Sequence, residues 1–376
     1  MKRILFVDHT PFVGGAELVL AEHIRHLDRS RFTPMIACTP TVPFLLELYR
    51  SVGAEVHLTP FPRLRGKSPL TLPRLMHAAW RLRALVRREG IDLVVSNTAR
   101  AAYISSLALA GTRVPLIWWV RDFLYGQRWF QLLWRVPRRI VCVSHAIRDY
   151  YGGTGDGRFS VVYVGSSIYR QIGELTEVRV QAERARWGIE PDELLVGFMG
   201  RLVAEKGVED VVEAIAEVHR RHPHVKLLVV GTGGNQEGDV EKKVRRAVDE
   251  GGMSFVTFVG YQAEEALYYS MFDIFVLATR TGEAFATSVV QAMMAGKPVV
   301  ATATGGTPEI VRDHDTGLLI PPGSPREMAE ALKALVEDRE LASRLAQAGR
   351  DYALGNNREE QTTAQAELLY GEVARG

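Results

Sequence analysis

Two cationic side chains closely follow the same apolar run of the sequence. Arg201 and Lys206 lie between Gly200 and Gly207, directly after the strand candidate Leu194–Met199. Anionic ligands bind at the carboxyl edge of the strands in open α/β sheets. An arginine fork and a lysine point charge that converge at this edge would hold a diphosphate. The alternative is a pair of ordinary solvated surface charges.

A carboxylate marks a second candidate site in the same half of the chain. The strand candidate that ends at Leu277 is followed by a loop with Glu283, and we predict a helix from near Phe285. The backbone N–H groups in the first turn of such a helix, around Thr287 and Ser288, would bind phosphate oxygens. Glu283 would stand at the mouth of this helix, either as a ligand-binding carboxylate or as a residue that caps the first turn.

Paired glycines follow the first strand candidate. Gly14 and Gly15 would let the backbone approach a ligand closely, with the N–H groups of the next helix directed at it, whereas a tight turn without a ligand is the alternative. Neither this loop nor residues 231–234 have the Gly-x-Gly-x-x-Gly spacing of dinucleotide-binding proteins. P-loop spacing is missing at residues 200–207 and 296–298, which argues against an ATPase.

The elements that must position these residues alternate along the chain. Short apolar runs such as Arg3–Asp8, Leu93–Ser96 and Ile274–Leu277 alternate with amphipathic stretches such as Val208–His219. This alternation is typical of a mostly parallel sheet that is covered on both faces. The chain has 376 residues, of which 47% are hydrophobic and 24% charged, so it is long enough for two such domains.

The alternation stops once and then restarts. We therefore predict an α/β protein with two Rossmann-like domains that face each other across a cleft. The first domain would span residues 1–166 and the second residues 193–355, joined by a linker at 167–192 with a short helix near 176–187. A terminal helix at 356–376 is expected to pack back on the N-terminal domain.

The cysteines and the first residues indicate the compartment. Cys38 and Cys142 each lie in a strand-like run, which favours buried free thiols in a reducing compartment. The apolar run before Asp8 is too short for a signal peptide, and no run elsewhere reaches the about 18 residues of a membrane span. We expect a cytoplasmic protein whose contact with a membrane, if it has one, is peripheral.

The first part of the chain is strongly basic. Residues 1–170 carry a net charge of +13 and the remaining residues −11, within a total of +2. Eight basic residues surround Trp80: Arg63, Arg65, Lys67, Arg74, Arg81, Arg83, Arg87 and Arg88. A second group mixes aromatic residues with arginines: Trp118, Trp119, Arg121, Arg128, Trp129, Phe130, Trp134, Arg135, Arg138 and Arg139. Such mixtures suit an anionic bilayer or a lipid-linked phosphorylated acceptor, and an ordinary basic surface is the alternative. Nucleic acid is the partner that we favour least.

Several motifs occur in an order that resembles a known family. They are Gly14-Gly15-Ala16-Glu17, Gly200-Arg201-Leu202 with Lys206-Gly207, Glu283-x-Phe285 through Gln291-Ala292-Met293 to Gly296-x-Pro298-Val299-Val300, and Gly305-Gly306-x-Pro308-Glu309. This set resembles the retaining, nucleotide-sugar-dependent glycosyltransferases of the GT-B fold (family 4-like, group 1), which include bacterial enzymes of glycolipid and polysaccharide synthesis. The resemblance spans essentially the whole chain and is most specific in its second half.

The resemblance implies a role for each matched position. Glu283, Arg201 and Lys206 would be the catalytic residues, with the two cations at the diphosphate of the donor and Glu283 at the donor sugar. The other donor-binding positions that it implies are Gly14, Gly15, Val259, Gly260, Tyr261, Phe285, Ala286, Thr287, Ser288 and Gln291. Arg121 and Asp122 would lie on the acceptor side of the N-terminal domain. The implied reaction retains configuration by front-side displacement, with the departing phosphate taking the acceptor proton, and it uses no metal and no cofactor besides the nucleotide-sugar donor.

Three positions depart from the family pattern. The second glutamate of the family, which usually binds the ribose, is Gln291; the glycine after the phenylalanine is Ala286; and a histidine after the fifth strand is replaced by Arg121. These departures leave open a nucleotide-sugar-binding protein that has lost turnover, and a nucleotide-sugar epimerase.

The sequence Asp313-His314-Asp315 is expected in a solvated turn, so no metal site is predicted.

Overall fold

The computed structural model describes residues 1–10, 14–40, 42–62, 71–123 and 135–374, except for the side chains of residues 71 and 234–239. It divides into two compact units, Met1–Gly165 together with Glu359–Gly376, and Ser166–Arg358. Each unit is built on one sheet of parallel strands with helices between them, so the predicted α/β class with two Rossmann-like domains is confirmed.

The first unit has a seven-stranded sheet in the order β3-β2-β1-β4-β5-β6-β7. The strands are β1 (Lys2–Asp8), β2 (Phe32–Cys38), β3 (Glu55–Leu58), β4 (Leu93–Ser96), β5 (Leu116–Val120), β6 (Arg139–Cys142) and β7 (Phe159–Val161). The helices of this part of the chain are α1 (Gly15–His26), α2 (Pro43–Ser51), α3 (Thr71–Arg88), α4 (Ala99–Leu109) and α5 (His145–Tyr150). Every residue of β4 and β5 is buried, because helices cover both faces of the sheet.

The second unit has a six-stranded sheet in the order β10-β9-β8-β11-β12-β13. The strands are β8 (Leu194–Met199), β9 (Val225–Val230), β10 (Val256–Gly260), β11 (Ile274–Leu277), β12 (Val299–Thr302) and β13 (Leu318–Ile320). Its helices are α6 (Ile168–Glu174), α7 (Glu177–Arg186), α8 (Val208–His219), α9 (Gly234–Glu250), α10 (Glu265–Met271), α11 (Thr287–Met294), α12 (Thr307–Ile310), α13 (Pro325–Glu337) and α14 (Arg339–Asn356). Val196, Val211, Ile215 and Leu332 pack in its core.

Residues 167–192, which we predicted as a linker, contain α6 and α7 and fall within the second unit. Buried Arg184 of α7 explains this placement. Its guanidinium donates to the carbonyl oxygens of Met271 at 2.6 Å and Glu193 at 2.7 Å, and to a carboxylate oxygen of Asp273 at 3.0 Å. An arginine with these partners holds α7 on the end of the sheet instead of leaving it as a connector.

The last helix, α15 (Glu359–Val373), packs on the first unit, as we expected of the terminal helix. Tyr370 of α15 is fully buried, and its hydroxyl lies 2.8 Å from Nε2 of His23 and accepts from the indole of Trp119 at 3.2 Å. Glu367 accepts a hydrogen bond from the backbone N–H of Asp28 at 2.6 Å. A chain segment more than 200 residues away in sequence thereby completes the N-terminal core. Among the described helices, none is long and apolar enough to cross a membrane.

Candidate functional site

The loop after β8 carries the two cationic residues. Arg201 is exposed, and Lys206 ends the short 3-10 turn Ala204–Lys206 with a half-buried side chain. Gly207 follows with φ of 63°, and a β-carbon at this position would collide with the carbonyl oxygen of Ala278, just beyond β11. Only glycine permits this approach, so the loop is held against the end of β11.

Lys206 and Glu283 form an ion pair within the second unit. Lys206 Nζ lies 2.6 Å from Oε2 of Glu283, and the hydroxyl of Thr279 donates to the same oxygen at 2.9 Å. Among the described residues, no group donates to the other carboxylate oxygen, Oε1. Glu283 is buried and accepts from no backbone N–H of the following helix, so it does not act as the cap that we considered.

The backbone of Glu283 is fixed by the loop that follows β12. Gly306 N–H donates to the carbonyl oxygen of Glu283 at 2.8 Å. Gly305 has φ of 52°, and a β-carbon there would collide with the same carbonyl. The hydroxyl of Thr302 also donates to the carbonyl of Thr279 at 2.7 Å. The loop after β12 therefore positions the loop that carries the carboxylate.

Arg280 ties this loop to α8. Its guanidinium donates to both carboxylate oxygens of Asp210, from Nε at 2.8 Å and from Nη2 at 2.6 Å, and its backbone N–H donates to the carbonyl of Glu205 at 2.7 Å. Hydrogen bonds to charged groups contribute about 1.5–3 kcal/mol, and the bidentate geometry also fixes direction. Neither Arg280 nor Asp210 was predicted to have a role, because the pairing of two charged residues 70 positions apart leaves no local signal in the sequence.

The helix α11 begins at Thr287, two residues later than we predicted. Phe285 and Ala286 before it are buried, whereas Thr287 and Ser288 are half-buried. No side chain caps this helix, and no described residue accepts a hydrogen bond from the N–H of Ser288. The start of α11 thus offers a backbone donor, in the unit that also holds Lys206 and Glu283.

The end of β10 holds the three residues that the resemblance assigns to the base. Val259 is buried, and its carbonyl oxygen accepts from the side-chain amide of Gln262 at 2.7 Å. Gly260 has φ of 72°, and its carbonyl oxygen accepts from Gly231 N–H at 2.8 Å. The side chain of Tyr261 is exposed. Hydrogen bonds within the unit therefore fix the backbone here and leave an aromatic ring at the surface.

Gln291, on α11, contacts the neighbouring helix α10. Its amide oxygen accepts from the hydroxyl of Tyr269 at 3.0 Å, and its amide nitrogen donates to the carboxylate of Glu265 at 3.1 Å. The position that departs from the family pattern is therefore in contact with a carboxylate from another helix. Glu265 was not predicted as a site residue, since it belongs to none of the motifs.

In the first unit, the glycine turn adjoins two buried carboxyl groups. Gly14 N–H donates to Glu17 Oε2 at 2.9 Å, and no atom of the described residues lies within 4 Å of the place where a β-carbon on Gly15 would stand. Asp8, at the end of β1, accepts from the hydroxyl of Tyr49 at 2.7 Å and from that of Thr10 at 2.9 Å. Burial, with the nearby charge of Asp8, raises the pKa of Glu17 to about 7, and burial also raises the pKa of Asp8. Asp8 belongs to none of the predicted site residues, whereas Glu17 is part of the glycine motif that carries the resemblance.

The predicted acceptor-side residues follow β5. Arg121 Nε donates to Asn97 Oδ1 at 2.7 Å, and its guanidinium stacks on the ring of Trp119 at 4.8 Å. The carbonyl oxygen of Asp122 accepts from the hydroxyl of Tyr151 at 3.2 Å. Trp118 and Trp119 are both buried in the core. Seven other residues of the basic and aromatic groups lie outside the described residues: Arg63, Arg65, Lys67, Arg128, Trp129, Phe130 and Trp134.

Within the described ranges, no three His, Cys, Asp or Glu side chains converge as metal ligands. The sequence Asp313-His314-Asp315 lies in an exposed turn, where Asp313 accepts from the N–H of Leu319 at 2.9 Å. The absence of a metal from the reaction remains a prediction.

Two family models and several known proteins match the chain in sequence. The family model for Glycosyltransferase Family 4 matches residues 13–166, and that for Glycosyl transferases group 1 matches residues 180–352. The GDP-mannose-dependent alpha-(1-6)-phosphatidylinositol monomannoside mannosyltransferase of Mycobacterium tuberculosis is 31% identical over 408 residues, and the alignment covers 100% of both chains. Alpha-D-kanosaminyltransferase of Streptomyces kanamyceticus is 33% identical over 189 residues, which is 50% of this chain and 47% of that protein. The chain thus spans about half the length of several curated relatives that it matches.

Solved structures share the fold. HepE of Anabaena, in complex with UDP and glucose, superposes with a TM-score of 0.84 at 23% identity, covering 98% of this chain and 100% of that one. A glycosyltransferase from Rickettsia africae superposes with a TM-score of 0.87 at 18% identity, covering 99% and 98%. Two family models and a full-length relative match this chain, and the chain has two Rossmann-like domains. The chain therefore belongs to the group 1 glycosyltransferases and has the GT-B fold.

Proposed function

We propose that this protein transfers a sugar from a nucleoside diphosphate sugar to a hydroxyl group of an acceptor, with retention of configuration at the sugar and without a metal ion. The ion pair between Lys206 and Glu283 beside the uncapped start of α11 is the observation that carries the proposal. The names of related proteins agree with such a donor, since one relative depends on GDP-mannose and one structural neighbour was solved with UDP and glucose.

In the proposed site, Lys206 would bind the diphosphate and Glu283 would bind the sugar. Among its described contacts, the ammonium of Lys206 gives only one hydrogen bond, to Glu283, so two of its three N–H groups are available to phosphate oxygens. Arg201 follows the same strand and would add a planar fork. The backbone N–H of Ser288 would supply a third donor to the diphosphate.

Glu283 would orient the donor sugar. Its Oε2 is held by Lys206 and Thr279, and its Oε1 accepts no hydrogen bond from the described residues, which leaves one carboxylate oxygen for a sugar hydroxyl. In the proposed step, the acceptor oxygen forms a bond to the anomeric carbon while the bond from that carbon to the diphosphate oxygen breaks. The acceptor proton passes to the departing phosphate. The residues contribute mainly by stabilising the charge that develops on the leaving oxygen.

We place the acceptor on the first unit, near Arg121 and Asp122, and propose that it is anionic or lipid-linked. The protein would then work as a peripheral protein on the cytoplasmic face of a membrane. The helix α3 supports this proposal. Leu72, Met76 and Trp80 lie four residues apart along it and are 65%, 52% and 65% exposed, so they form one apolar stripe. The same helix carries five arginines, Arg74, Arg81, Arg83, Arg87 and Arg88, and no acidic residue.

Transfer of label from a nucleotide sugar tests the proposed function. A thermal-shift screen of nucleoside diphosphates and their sugar conjugates first identifies the donor, because a ligand at 100 times its Kd adds about 2.7 kcal/mol of stability. Release of nucleotide and sugar is then measured with and without acceptor. We expect Glu283→Ala to abolish release and Lys242→Ala, an exposed lysine on α9, to leave it unchanged.

The same assay separates the alternatives. Donor binding without any release or transfer would indicate a protein that has lost turnover, and release of free nucleotide with an epimerised sugar would indicate an epimerase. The anomeric configuration of the transferred sugar, read by NMR, tests retention. Full activity after exhaustive treatment with a chelator tests independence from metal.

A further inference from the structure

Arg280 lies between two loops that leave the same edge of the second sheet. The strands β8 and β11 are parallel neighbours, with Val196 opposite Ile274, so the loops that follow them start side by side. The loop after β8 carries Lys206, and the loop after β11 carries Arg280 and then Glu283. A residue that joins these two loops therefore controls how the ammonium and the carboxylate meet.

The backbone and the side chain of Arg280 hold the loop after β8 at two places. The backbone N–H donates to the carbonyl oxygen of Glu205, directly before Lys206, at 2.7 Å. The guanidinium donates to both carboxylate oxygens of Asp210, from Nε at 2.8 Å and from Nη2 at 2.6 Å. Asp210 is buried, so salt screens this pair less than an exposed one. Both ends of the segment 205–210, in which Lys206 lies, are thereby fixed to Arg280.

The residue before Arg280 holds the carboxylate. The hydroxyl of Thr279 donates to Glu283 Oε2 at 2.9 Å, and the same oxygen lies 2.6 Å from Lys206 Nζ. The carbonyl oxygen of Thr279 accepts from the hydroxyl of Thr302 at 2.7 Å. Two consecutive residues therefore hold the carboxylate and the segment that carries the ammonium.

The ion pair needs this support because a lysine side chain is flexible. Its stem has four carbons, so one contact with Glu283 does not by itself fix the ammonium. Displacement of a reacting group by about 1 Å costs about 100-fold in rate. We infer that Arg280 is a positioning residue, which holds Lys206 against Glu283 through its hydrogen bonds to Asp210 and Glu205. This inference rests on the proposed function, because only the transfer reaction requires the pair to be held at a diphosphate.

Position 280 requires an arginine for geometric reasons. The planar fork of arginine matches both oxygens of a carboxylate, whereas a lysine is a point charge that cannot form the two parallel hydrogen bonds. Arg280→Lys should therefore retain the charge and lose the direction. Arg246 provides a contrast, since its Nε lies 2.7 Å from the carboxylate of Glu250 on the same helix, α9, and both residues are exposed. Such a pair contributes little, so Arg246→Ala is a matched control.

Kinetics of label transfer in single and double variants test the inference. We expect Arg280→Ala to lower kcat about 10- to 100-fold, because the segment that carries Lys206 is released, and Arg280→Lys to fall between this variant and the wild type. In the Lys206→Ala background, Arg280→Ala should lower kcat by less than about threefold, since residues that act through one contact are not additive. A residue that only stabilises the fold would give the full loss in both backgrounds. Arg246→Ala should leave kcat unchanged in either.

Chemical rescue gives an independent readout. Guanidinium chloride, well below the concentrations that unfold the chain, should restore part of the lost kcat of Arg280→Ala, because the free cation can bind the carboxylate of Asp210 bidentately. Sodium chloride at the same ionic strength should restore none. Addition of Asp210→Asn to Arg280→Ala should abolish the rescue. If Arg280→Ala fails to fold, Asp210→Asn alone, which removes the charged partner, replaces it in the kinetics with and without Lys206→Ala.

The outcomes distinguish this inference from the proposed function. The positioning role would be overturned by an unchanged kcat in Arg280→Ala, by a full further loss in the Lys206→Ala background, or by equal rescue, or none, with the two salts. Each of these results would leave the proposed transfer standing. Absence of transfer by the wild-type chain from any nucleoside diphosphate sugar would overturn the proposed function, and the positioning role with it.

Discussion

Lys206 Nζ lies 2.6 Å from Glu283 Oε2, although 77 residues separate them in sequence. If this ammonium also stabilises the leaving diphosphate, Lys206→Ala should lower kcat by about two to three orders of magnitude, as for loss of one transition-state contact. Arg201→Ala should have an effect of similar size. Steady-state kinetics of label transfer measures both, with Lys242→Ala as the control. Unchanged rates in both variants would remove the diphosphate assignment.

The turn at Gly305 offers a second test, because it fixes the backbone of Glu283. Gly305→Ala would place a β-carbon against the Glu283 carbonyl, at φ of 52°. We expect a lower Tm and a loss of turnover of about 100-fold, since displacement of a reacting group by about 1 Å has effects of this size. Gly323→Ala is the matched control: its φ is 67°, but in the part of the chain that the structure describes no atom lies within 4 Å of its β-carbon position. It should lose only the about 1–2 kcal/mol of an unfavourable backbone conformation and keep full activity. Similar kinetics for the two variants would contradict this role of Gly305.

Much of the fold follows from the sequence alone. The helix predicted at Val208–His219 has those bounds in the structure, because its apolar positions repeat with helical spacing and a glycine precedes it. The buried strand Ile274–Leu277 was equally clear, since a short apolar run without helical length is typical of a central strand. The role of residues 167–192 was not clear, because the polar surface of α7 resembles a linker and only the buried contacts of Arg184 show its place.

The site was predictable only in part. Position after a strand indicated where Lys206 and Glu283 lie, since the ends of parallel strands share one edge of a sheet. The direction in which each side chain points depends on contacts that are distant in sequence, such as Gly305 against Glu283. Glu265 carries no motif, and its meeting with Gln291 depends on how α10 packs beside α11.

Buried Glu359 on α15 predicts a pH dependence of stability. Its Oε1 accepts from Thr363 at 3.0 Å, its Oε2 has no hydrogen-bond partner in the structure as described, and burial raises its pKa to about 7. The folded chain therefore holds a proton that the unfolded chain has lost above pH about 4.5. The free energy of unfolding should fall as pH rises from about 4.5 to 7, by at most roughly 3 kcal/mol for this group.

Glu359→Gln should remove this contribution. We expect the free energy of unfolding of the variant, minus that of the wild type, to be larger at pH 8 than at pH 5. At pH 8 the wild type carries a buried charge at this position, whereas the variant keeps the Thr363 contact without one. Denaturant unfolding at the two pH values measures the difference. Glu372→Gln, on the same helix with its carboxylate exposed and 3.3 Å from Arg139, should shift stability equally at both. The same pH dependence in Glu359→Gln and the wild type would exclude Glu359 as the titrating group.

The stripe on α3 leads to the last prediction, which concerns membrane binding. Trp80 is 65% exposed, so Trp80→Ser should leave the core intact while removing a side chain whose burial in a bilayer interface contributes about 1.5–3 kcal/mol. Binding to vesicles that contain phosphatidylglycerol, measured by cosedimentation, should weaken about 10- to 100-fold. Leu368→Ser on α15, where the side chain is 64% exposed, is the control and should bind as the wild type does. The arginines of α3 should make binding sensitive to salt, with about 1 kcal/mol lost per arginine changed to glutamine. Equal binding to neutral phosphatidylcholine vesicles, or equal weakening by Leu368→Ser, would show that α3 is not the docking element.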